Sequence, residues 1–280
     1  MLIAARNIVK AWLLVLALAG LFALAGWLLD GVRGLSIFVF CALLFAAGAY
    51  WTFDRVALGM LGARELPLGE APLLHSTVER LAARAGIAKP RLYLIPDGLP
   101  IAAATGRGAR SSSLAMSTGC VAACSPAELE GVLAHEIAHV RLHDVQVQTA
   151  AVVAAAVLLE TSRIGGWFER ALLFVLGPIA SACVHLLVSP RREFSADRYA
   201  ANLCDSPHGL ADGLLRLEQA AELVEFEGSP ASEPMLTINP FAEHGLAALF
   251  VTHPPIAERV RRLRELDPTW RDRVQSEAAA

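Results

Sequence analysis

The chain of 280 residues is unusually apolar, because hydrophobic residues make up 55% of it and charged residues only 18%. Ordinary soluble domains are roughly a quarter charged. A net charge of −3 and a pI near 6.2 give no reason to expect a nucleic-acid partner, so we expect none. The five cysteines follow no paired framework, so we expect reduced thiols in a cytosol.

Two uncharged apolar stretches open the chain. Ala11 to Leu29 is followed, after the break Asp30-Gly31-Val32-Arg33, by Gly34 to Phe53. Each stretch is long enough to cross a bilayer as a helix, so we expect an N-terminal transmembrane helical hairpin over residues 1–54. A cleaved signal peptide is the alternative, which the immediate second stretch disfavours.

Basic residues flank this hairpin on its two outer sides: Arg6, Lys10, Arg55 and Arg64. The turn between the stretches carries one arginine, beside an aspartate. The positive-inside bias therefore predicts that the N-terminus and everything after Phe53 lie in the cytoplasm.

Beyond Phe53 the composition becomes that of a soluble domain. Hydrophobic spacing predicts helices and strands in six segments: a helix over His75 to Ala85, strands over Arg91 to Ile95 and Ser113 to Ser117, helices over Arg191 to Leu203 and Pro207 to Phe226, and a last helix from Pro254-Pro255 toward Leu266.

A further helix is predicted to begin at Ser125, with Glu128 in the capping-box position. His135 and His139 lie one turn apart on one face of it, so both imidazoles can bind one zinc ion. Glu136 follows the first of them and can take the proton of a zinc-bound water that attacks a peptide carbonyl. Two surface histidines on an amphipathic helix are the alternative, which the apolar surroundings disfavour.

A catalytic zinc needs a third protein ligand and an open position. Glu193 is the best candidate, because Asp197 lies one helical turn further on and can accept a hydrogen bond from a ligand imidazole. The alternative is a solvated helix face on which the two carboxylates pair with Arg192 and Arg198.

Two more apolar stretches separate the motif from Glu193: Thr149 to Leu159 and Ala171 to Pro190. Both ends of this insertion must meet at one zinc ion, so the stretches cross a membrane both or neither times. We expect an apolar hairpin insertion at about residues 147–190 within a zinc metalloprotease domain over residues 55–280.

Together, these features resemble the HtpX-like membrane metalloproteases of the M48 peptidase family. Further segments carry the resemblance: Ala104 to Arg107, Glu128 to Ala134, Asp144, Arg192 to Ala200, Thr252 to Pro255, and Glu258-Arg259. The chain departs from the family at Ile101 to Ala104, where Asn-Ala-Phe-Ala is usual near the substrate-binding edge strand. This departure does not include any of the expected zinc ligands.

The resemblance implies an α+β fold: a mostly helical, gluzincin-type zinc protease domain with a small β-sheet, plus transmembrane helical hairpins. It implies one Zn²⁺ per chain on three ligands: His135, His139 and Glu193. Glu136 would be catalytic. Asp197 would orient a ligand imidazole, and Asp144 would support the metal ligands without binding the metal itself.

His253 and Arg259 would line the cleft, according to the same resemblance. His253 precedes Pro254-Pro255, whose restricted backbone would fix a loop before a helix. We expect its ring to donate to the oxyanion that develops during peptide hydrolysis. A surface loop histidine is the alternative.

The implied activity is zinc-dependent endopeptidase action on misfolded membrane proteins, in quality control and stress response. The chain would be a multi-pass protein of the plasma (inner) membrane, in contact with the lipid bilayer and with a cytoplasmic catalytic domain. Two alternatives stay open: the same chemistry outside the cytoplasm, and a catalytically silent membrane scaffold. Prenyl-protein processing proteases share the motif, but four apolar stretches are too few for their intramembrane chamber.

Overall fold

The computed structural model describes residues 2–163, 169–187, 190–204, 206–221, 236 and 253–268. These residues form a mostly helical protein with one small mixed sheet. The elements up to the motif are α1 (Leu2–Met60), β1 (Arg64–Glu65), α2 (Pro72–Ala85), β2 (Arg91–Ile95), β3 (Ala102–Gly108), β4 (Ser111–Ser117) and α3 (Thr118–Ala123). The later elements are α4 (Pro126–Arg141), α5 (Asp144–Arg163), α6 (Glu169–Leu187), α7 (Pro190–Leu203), α8 (His208–Ala221) and α9 (Ile256–Glu265).

Helix α1 reverses direction at the break that the sequence predicts. Asp30 and Gly31 have non-helical dihedral angles, with a φ of 52° at Gly31. A Cβ atom added to Gly26 would lie 2.5 Å from the carbonyl oxygen of Gly34, whereas residues eight apart in a straight helix are about 12 Å apart. The two halves therefore fold back on each other.

No helix in the described ranges combines the length and the apolar character needed to cross a membrane. The transmembrane part of the predicted fold is thus not confirmed. The division into residues 1–54 and 55–280 stays a prediction, although α1 continues past it to Met60.

The sheet has the strand order β1-β2-β4-β3. Strand β2 runs parallel to β4, while the β1–β2 and β3–β4 pairs are antiparallel. The predicted strands are confirmed as β2 and β4. Strand β3 lies at the edge of the sheet, where Ala103 forms one antiparallel bridge to Leu236.

The core fills both faces of this sheet. On one face, the apolar side of α2 (Leu74, Val78 and Leu81) packs with α4 and α8. On the other face, Leu58 and Leu61 from the end of α1 pack against side chains of β2, β3 and β4. The last turns of α1 are thereby fixed to the sheet.

Helix α4 is the central element of the core. Its predicted capping box is present: the Glu128 N–H donates to Ser125 Oγ, and the Ser125 N–H donates to the Glu128 carboxylate at 2.7 Å. Every residue from Gly131 to Val140 is buried. A Cβ atom at Gly131 would lie 2.4 Å from the backbone nitrogen of Leu210, so the absence of a side chain allows α8 to approach closely.

Candidate metal centre

Three buried side chains converge between α4 and α7. His135 and His139 come from α4, and Glu193 comes from the first turn of α7, with their ligand atoms all within 4.8 Å of one another. The two Nε2 atoms are 3.1 Å apart, and each lies 3.4 Å from an oxygen of Glu193. Two atoms bound to one tetrahedral zinc at its usual bond lengths are roughly 3.3 Å apart, so this spacing fits a single zinc ion.

The Glu193 carboxylate also fits a cation. It is 1% exposed, yet neither of its oxygens accepts a well-aligned hydrogen bond from any described residue. Buried carboxylates without such donors are rare, because losing hydration is costly for a charged group. A metal ion bound to these oxygens would satisfy them.

A carboxylate holds the remote nitrogen of each imidazole. His135 Nδ1 lies 3.0 Å from Asp197 Oδ1, and His139 Nδ1 lies 3.1 Å from Asp144 Oδ2. When each Nδ1–H donates to its aspartate, the lone pair of Nε2 points to the common centre. The ligand atoms are therefore oriented for a metal by contacts that the protein already makes.

An arginine supports each of these aspartates. Arg259 donates from Nη2 and Nε to the two oxygens of Asp197, at 2.7 and 3.0 Å. Arg192 donates from Nε to Asp144 Oδ1 at 2.8 Å and from Nη2 to the Asp144 carbonyl at 2.7 Å. All four side chains are buried.

The role of Arg192 is not predicted by the sequence analysis, where this residue enters only as a surface partner of nearby carboxylates. The sequence does carry one indication of this role. Arg192 directly precedes Glu193 on α7, and both side chains are buried.

The remaining expected residues lie at the same centre. Glu136 is 2% exposed and directly follows His135. Burial lowers the pKa of Arg259, but the charges of Asp197, Glu193 and Glu136 outweigh burial and leave that pKa raised. His253 Nδ1 lies 3.2 Å from Glu193 Oε2.

The charged groups of the centre shift one another's pKa values. Burial lowers the pKa of His139, but the charge of Glu193 and the hydrogen bond with Asp144 outweigh burial and raise it to about 10. Burial raises the pKa of Glu193, but the charges of His253 and His139 hold it well below its usual value. Burial similarly opposes the charge of Arg259, which lowers the pKa of Asp197. A metal at this centre must therefore displace the proton of His139.

Residues 69–267 match Peptidase family M48. A protein named Protease HtpX homolog from Persephonella marina is 40% identical over 278 residues, which cover 92% of this chain and 96% of that protein. A protein of the same name from Pelotomaculum thermopropionicum is 36% identical over 278 residues, covering 93% and 99%.

Among solved structures, the crystal structure of S. mikatae Ste24p aligns with a TM-score of 0.45 and 20% identity, covering 94% of this chain and 66% of that one. The family match and the similarity to the HtpX homologs confirm the resemblance seen in the sequence motifs. The chain belongs to peptidase family M48.

Proposed function

We propose that this chain is a zinc-dependent endopeptidase that uses His135, His139 and Glu193 to hold the metal. The observation that carries the proposal is the spacing of their ligand atoms, 3.1 to 3.4 Å, combined with an aspartate on each Nδ1. When bound, zinc supplies a Lewis acid that polarises the peptide carbonyl and brings the pKa of a water molecule toward neutrality.

The side chains around the metal have separate roles in this proposal. Glu136 takes the proton of the attacking water and returns it to the leaving amine. Asp197 and Asp144 hold the two imidazoles in the tautomer that leaves Nε2 free to bind. His253 donates a hydrogen bond to the oxyanion of the substrate. The burial of Glu136 beside His135 and the closeness of His253 to Glu193 support these roles.

We also propose that the chain is anchored in the plasma (inner) membrane and that the metal centre faces the cytoplasm. Large apolar side chains of α1 are exposed on the protein surface, including Leu29 at 74% and Val32 at 73%. Water disfavours extended apolar surfaces of this kind, whereas lipid does not. Phe174 on α6 is likewise 81% exposed, which supports membrane contact by the predicted insertion.

The proposed substrates are polypeptides, including misfolded membrane proteins, in quality control and stress response. A peptidase domain that is tethered to a bilayer is confined to the same thin region as the polypeptides of that membrane. Tethering raises the effective concentration of the two partners without any new contact between them. Membrane-associated chains are therefore expected to be cleaved in preference to soluble ones.

The experiment is metal analysis of detergent-purified full-length protein, together with casein cleavage before and after chelation. We expect about one zinc per chain, cleavage that stops after chelation, and recovery when zinc is restored. Glu136→Gln should keep its zinc and lose about a hundred- to ten-thousandfold in turnover, because an amide cannot accept the proton. Glu193→Ala should lose zinc, whereas Glu79→Ala, at an exposed carboxylate of α2, should retain both metal and activity.

Two outcomes would contradict this proposal. Cleavage that persists in metal-free protein would exclude a zinc mechanism. If the wild type binds zinc at full occupancy but cleaves neither casein nor any other soluble or membrane substrate, the catalytically silent scaffold is favoured.

A further inference from the structure

An open pocket of about 620 Å³ lies where α1 meets the turn between β3 and β4. Its principal lining residues are Trp51, Arg107, Gly108, Arg110, Ser111 and His143. None of the described residues that line it is acidic. The pocket is therefore lined by positive charge and hydrogen-bond donors without an acidic group, which is the composition that an anionic ligand requires.

The guanidinium of Arg107 is held in place at this pocket. It lies over the ring of Trp51, 4.6 Å from the ring centroid, and its Nη2 donates to Ser111 Oγ at 3.3 Å. The backbone carbonyl of the same residue accepts a hydrogen bond from Gln146 Nε2. A stacked guanidinium keeps N–H groups on its edge, and little conformational entropy is lost when such a fixed group binds an oxyanion.

His143 also lines the pocket. Its Nδ1 is buried and has no hydrogen-bond partner within the described part of the chain, and its φ of 60° is unusual for a residue other than glycine. A Cβ atom at Gly108, where φ is 122°, would lie 2.8 Å from Gln146 Nε2 and 3.5 Å from His143 Nδ1. Unsatisfied groups and uncommon backbone angles together are typical of ligand sites.

An apolar stripe leads from this pocket along α1. Phe40, Leu44 and Trp51 are spaced by four and seven residues, which places them on one helix face. They are 63%, 58% and 64% exposed. Tryptophan at the end of an apolar stretch, followed here by Arg55, is typical of the interface between lipid and water. The ligand should therefore combine an anionic head with an apolar tail.

We infer that this pocket binds the phosphate of an anionic phospholipid, whose acyl chains lie along the stripe of Phe40, Leu44 and Trp51. The fixed guanidinium of Arg107, the exposed Arg110 and the Ser111 hydroxyl bind the phosphate oxygens. This inference rests on the proposed membrane anchoring and does not depend on the peptidase chemistry.

The test uses full-length protein in a neutral detergent, with thermal unfolding followed as phosphatidylglycerol is added. A ligand that binds the folded protein raises its melting temperature. Phosphatidylcholine, glycerol phosphate and inorganic phosphate are titrated in parallel. We expect phosphatidylglycerol to stabilise the wild type at much lower concentration than the other three.

The double variant Arg107→Gln with Arg110→Gln should bind phosphatidylglycerol on the order of ten- to a hundredfold more weakly, because it loses charge-assisted hydrogen bonds. Arg110→Gln alone changes only an exposed side chain, so it should fold normally and show a smaller loss. The matched control is Arg84→Gln with Arg216→Gln, which removes the same charge from exposed sites on α2 and α8.

Undiminished phosphatidylglycerol binding in both pocket variants would overturn the inference, as would an equal loss in the control pair. Equal stabilisation by glycerol phosphate or inorganic phosphate would overturn the lipid as occupant, and equal stabilisation by phosphatidylcholine would exclude recognition of charge. Casein cleavage and vesicle flotation are measured on the same preparations. If the protein prefers phosphatidylglycerol but does not cleave casein, only the peptidase proposal is contradicted. If the protein fails to float with any vesicle, both the membrane anchoring and this lipid site are contradicted.

Discussion

Each imidazole of the candidate metal centre contacts an aspartate, and each aspartate contacts an arginine. The arginine reduces the cost of burying the carboxylate, and the carboxylate fixes the imidazole that would bind zinc. Removing one member would leave a buried charge without its partner, which is more harmful than removing a surface charge. Arg192 and Arg259 are therefore expected to influence zinc binding without touching the metal.

The raised pKa of His139 predicts how zinc binding depends on pH. Burial opposes the shift, but Glu193 and Asp144 raise this pKa to about 10. Zinc requires the neutral imidazole, so raising the pH toward that value should strengthen binding by up to about tenfold per unit, with no further gain from His139 above it. Zinc titration calorimetry at neutral pH, in buffers of different ionisation enthalpy, should show proton release.

Asp144→Asn provides the internal comparison for this measurement. The variant withdraws a charge and a hydrogen bond that raise the pKa of His139, so its zinc binding should release less proton at the same pH. Zinc affinity that does not change with pH would contradict the protonated state assigned to His139.

His253→Ala separates two roles that the position of this ring allows. If His253 donates to the oxyanion, turnover should fall by about a hundred- to a thousandfold while zinc stays bound. If it only positions Glu193, from which its Nδ1 is 3.2 Å distant, zinc affinity should fall and excess zinc should restore turnover. Metal content is measured first, and then kcat and KM are determined at saturating zinc. Turnover within a few-fold of the wild type, with normal zinc affinity, would exclude both roles.

The sequence predicted the local part of this centre better than its distant contacts. His135, Glu136 and His139 share two turns of one helix, so helical spacing alone brings them together. Glu193 lies on a second helix, so only the supporting carboxylate of Asp197 one turn further on indicates it as a ligand. Arg192 was missed because helical spacing shows which residues share a face, not whether that face is buried in the folded chain.

Helix α4 places the motif by packing closely against α8. A Cβ atom on Gly131 would approach Leu210 N to 2.4 Å and Leu210 Cα to 2.6 Å, and both are backbone atoms that cannot rotate away. Gly209 and Gly213 on α8 make similar approaches to Ala127 and Glu128. Glycine thus sets the distance between these helices, and thereby the positions of His135 and His139, which lie about one and two turns further along α4.

Gly131→Ala should destabilise the protein although alanine is the better helix former. Pushing α8 away should cost about 1–3 kcal/mol, more than the roughly 0.5–1 kcal/mol that alanine contributes to helix stability. Gly59→Ala in α1 is the matched control, because its added Cβ meets nothing within 4 Å and should therefore be stabilising. Thermal unfolding of both zinc-loaded variants measures the difference. A higher melting temperature for Gly131→Ala would contradict the tight packing.

At the scale of elements, alternation predicted β2 and β4 but not β3. Strand β3 contains Ala102 to Ala104 followed by Thr105 and glycines, and alanine and glycine have low strand propensity. It forms because β4 supplies hydrogen bonds along its length and because both of its faces are buried. This is a tertiary effect, which local sequence does not encode. Only the family resemblance indicated an edge strand near this segment.

The topology of the whole molecule follows from an even number of crossings of any surrounding layer. Helix α1 folds back on itself, so its two ends lie on the same side of such a layer. Helices α5 and α6, which follow α4 and precede α7 in the chain, pack against each other. His139 and Glu193 meet at one centre, so the chain between them must also return to the side from which it started. The residues of the candidate metal centre and both flanks of α1 are therefore expected in one compartment.

Cysteine labelling in intact cells tests this topology, in a variant whose five native cysteines are replaced by alanine. Val32→Cys lies at the reversal of α1, where the native side chain is 73% exposed, and should react with an impermeant maleimide from outside. Arg141→Cys, at the exposed end of α4, should react only after the cells are permeabilised. The excess of arginine and lysine outside the turn favours this orientation. Labelling of Arg141→Cys in intact cells would place the catalytic domain outside the cytoplasm, and labelling of neither position before permeabilisation would contradict the spanning hairpin.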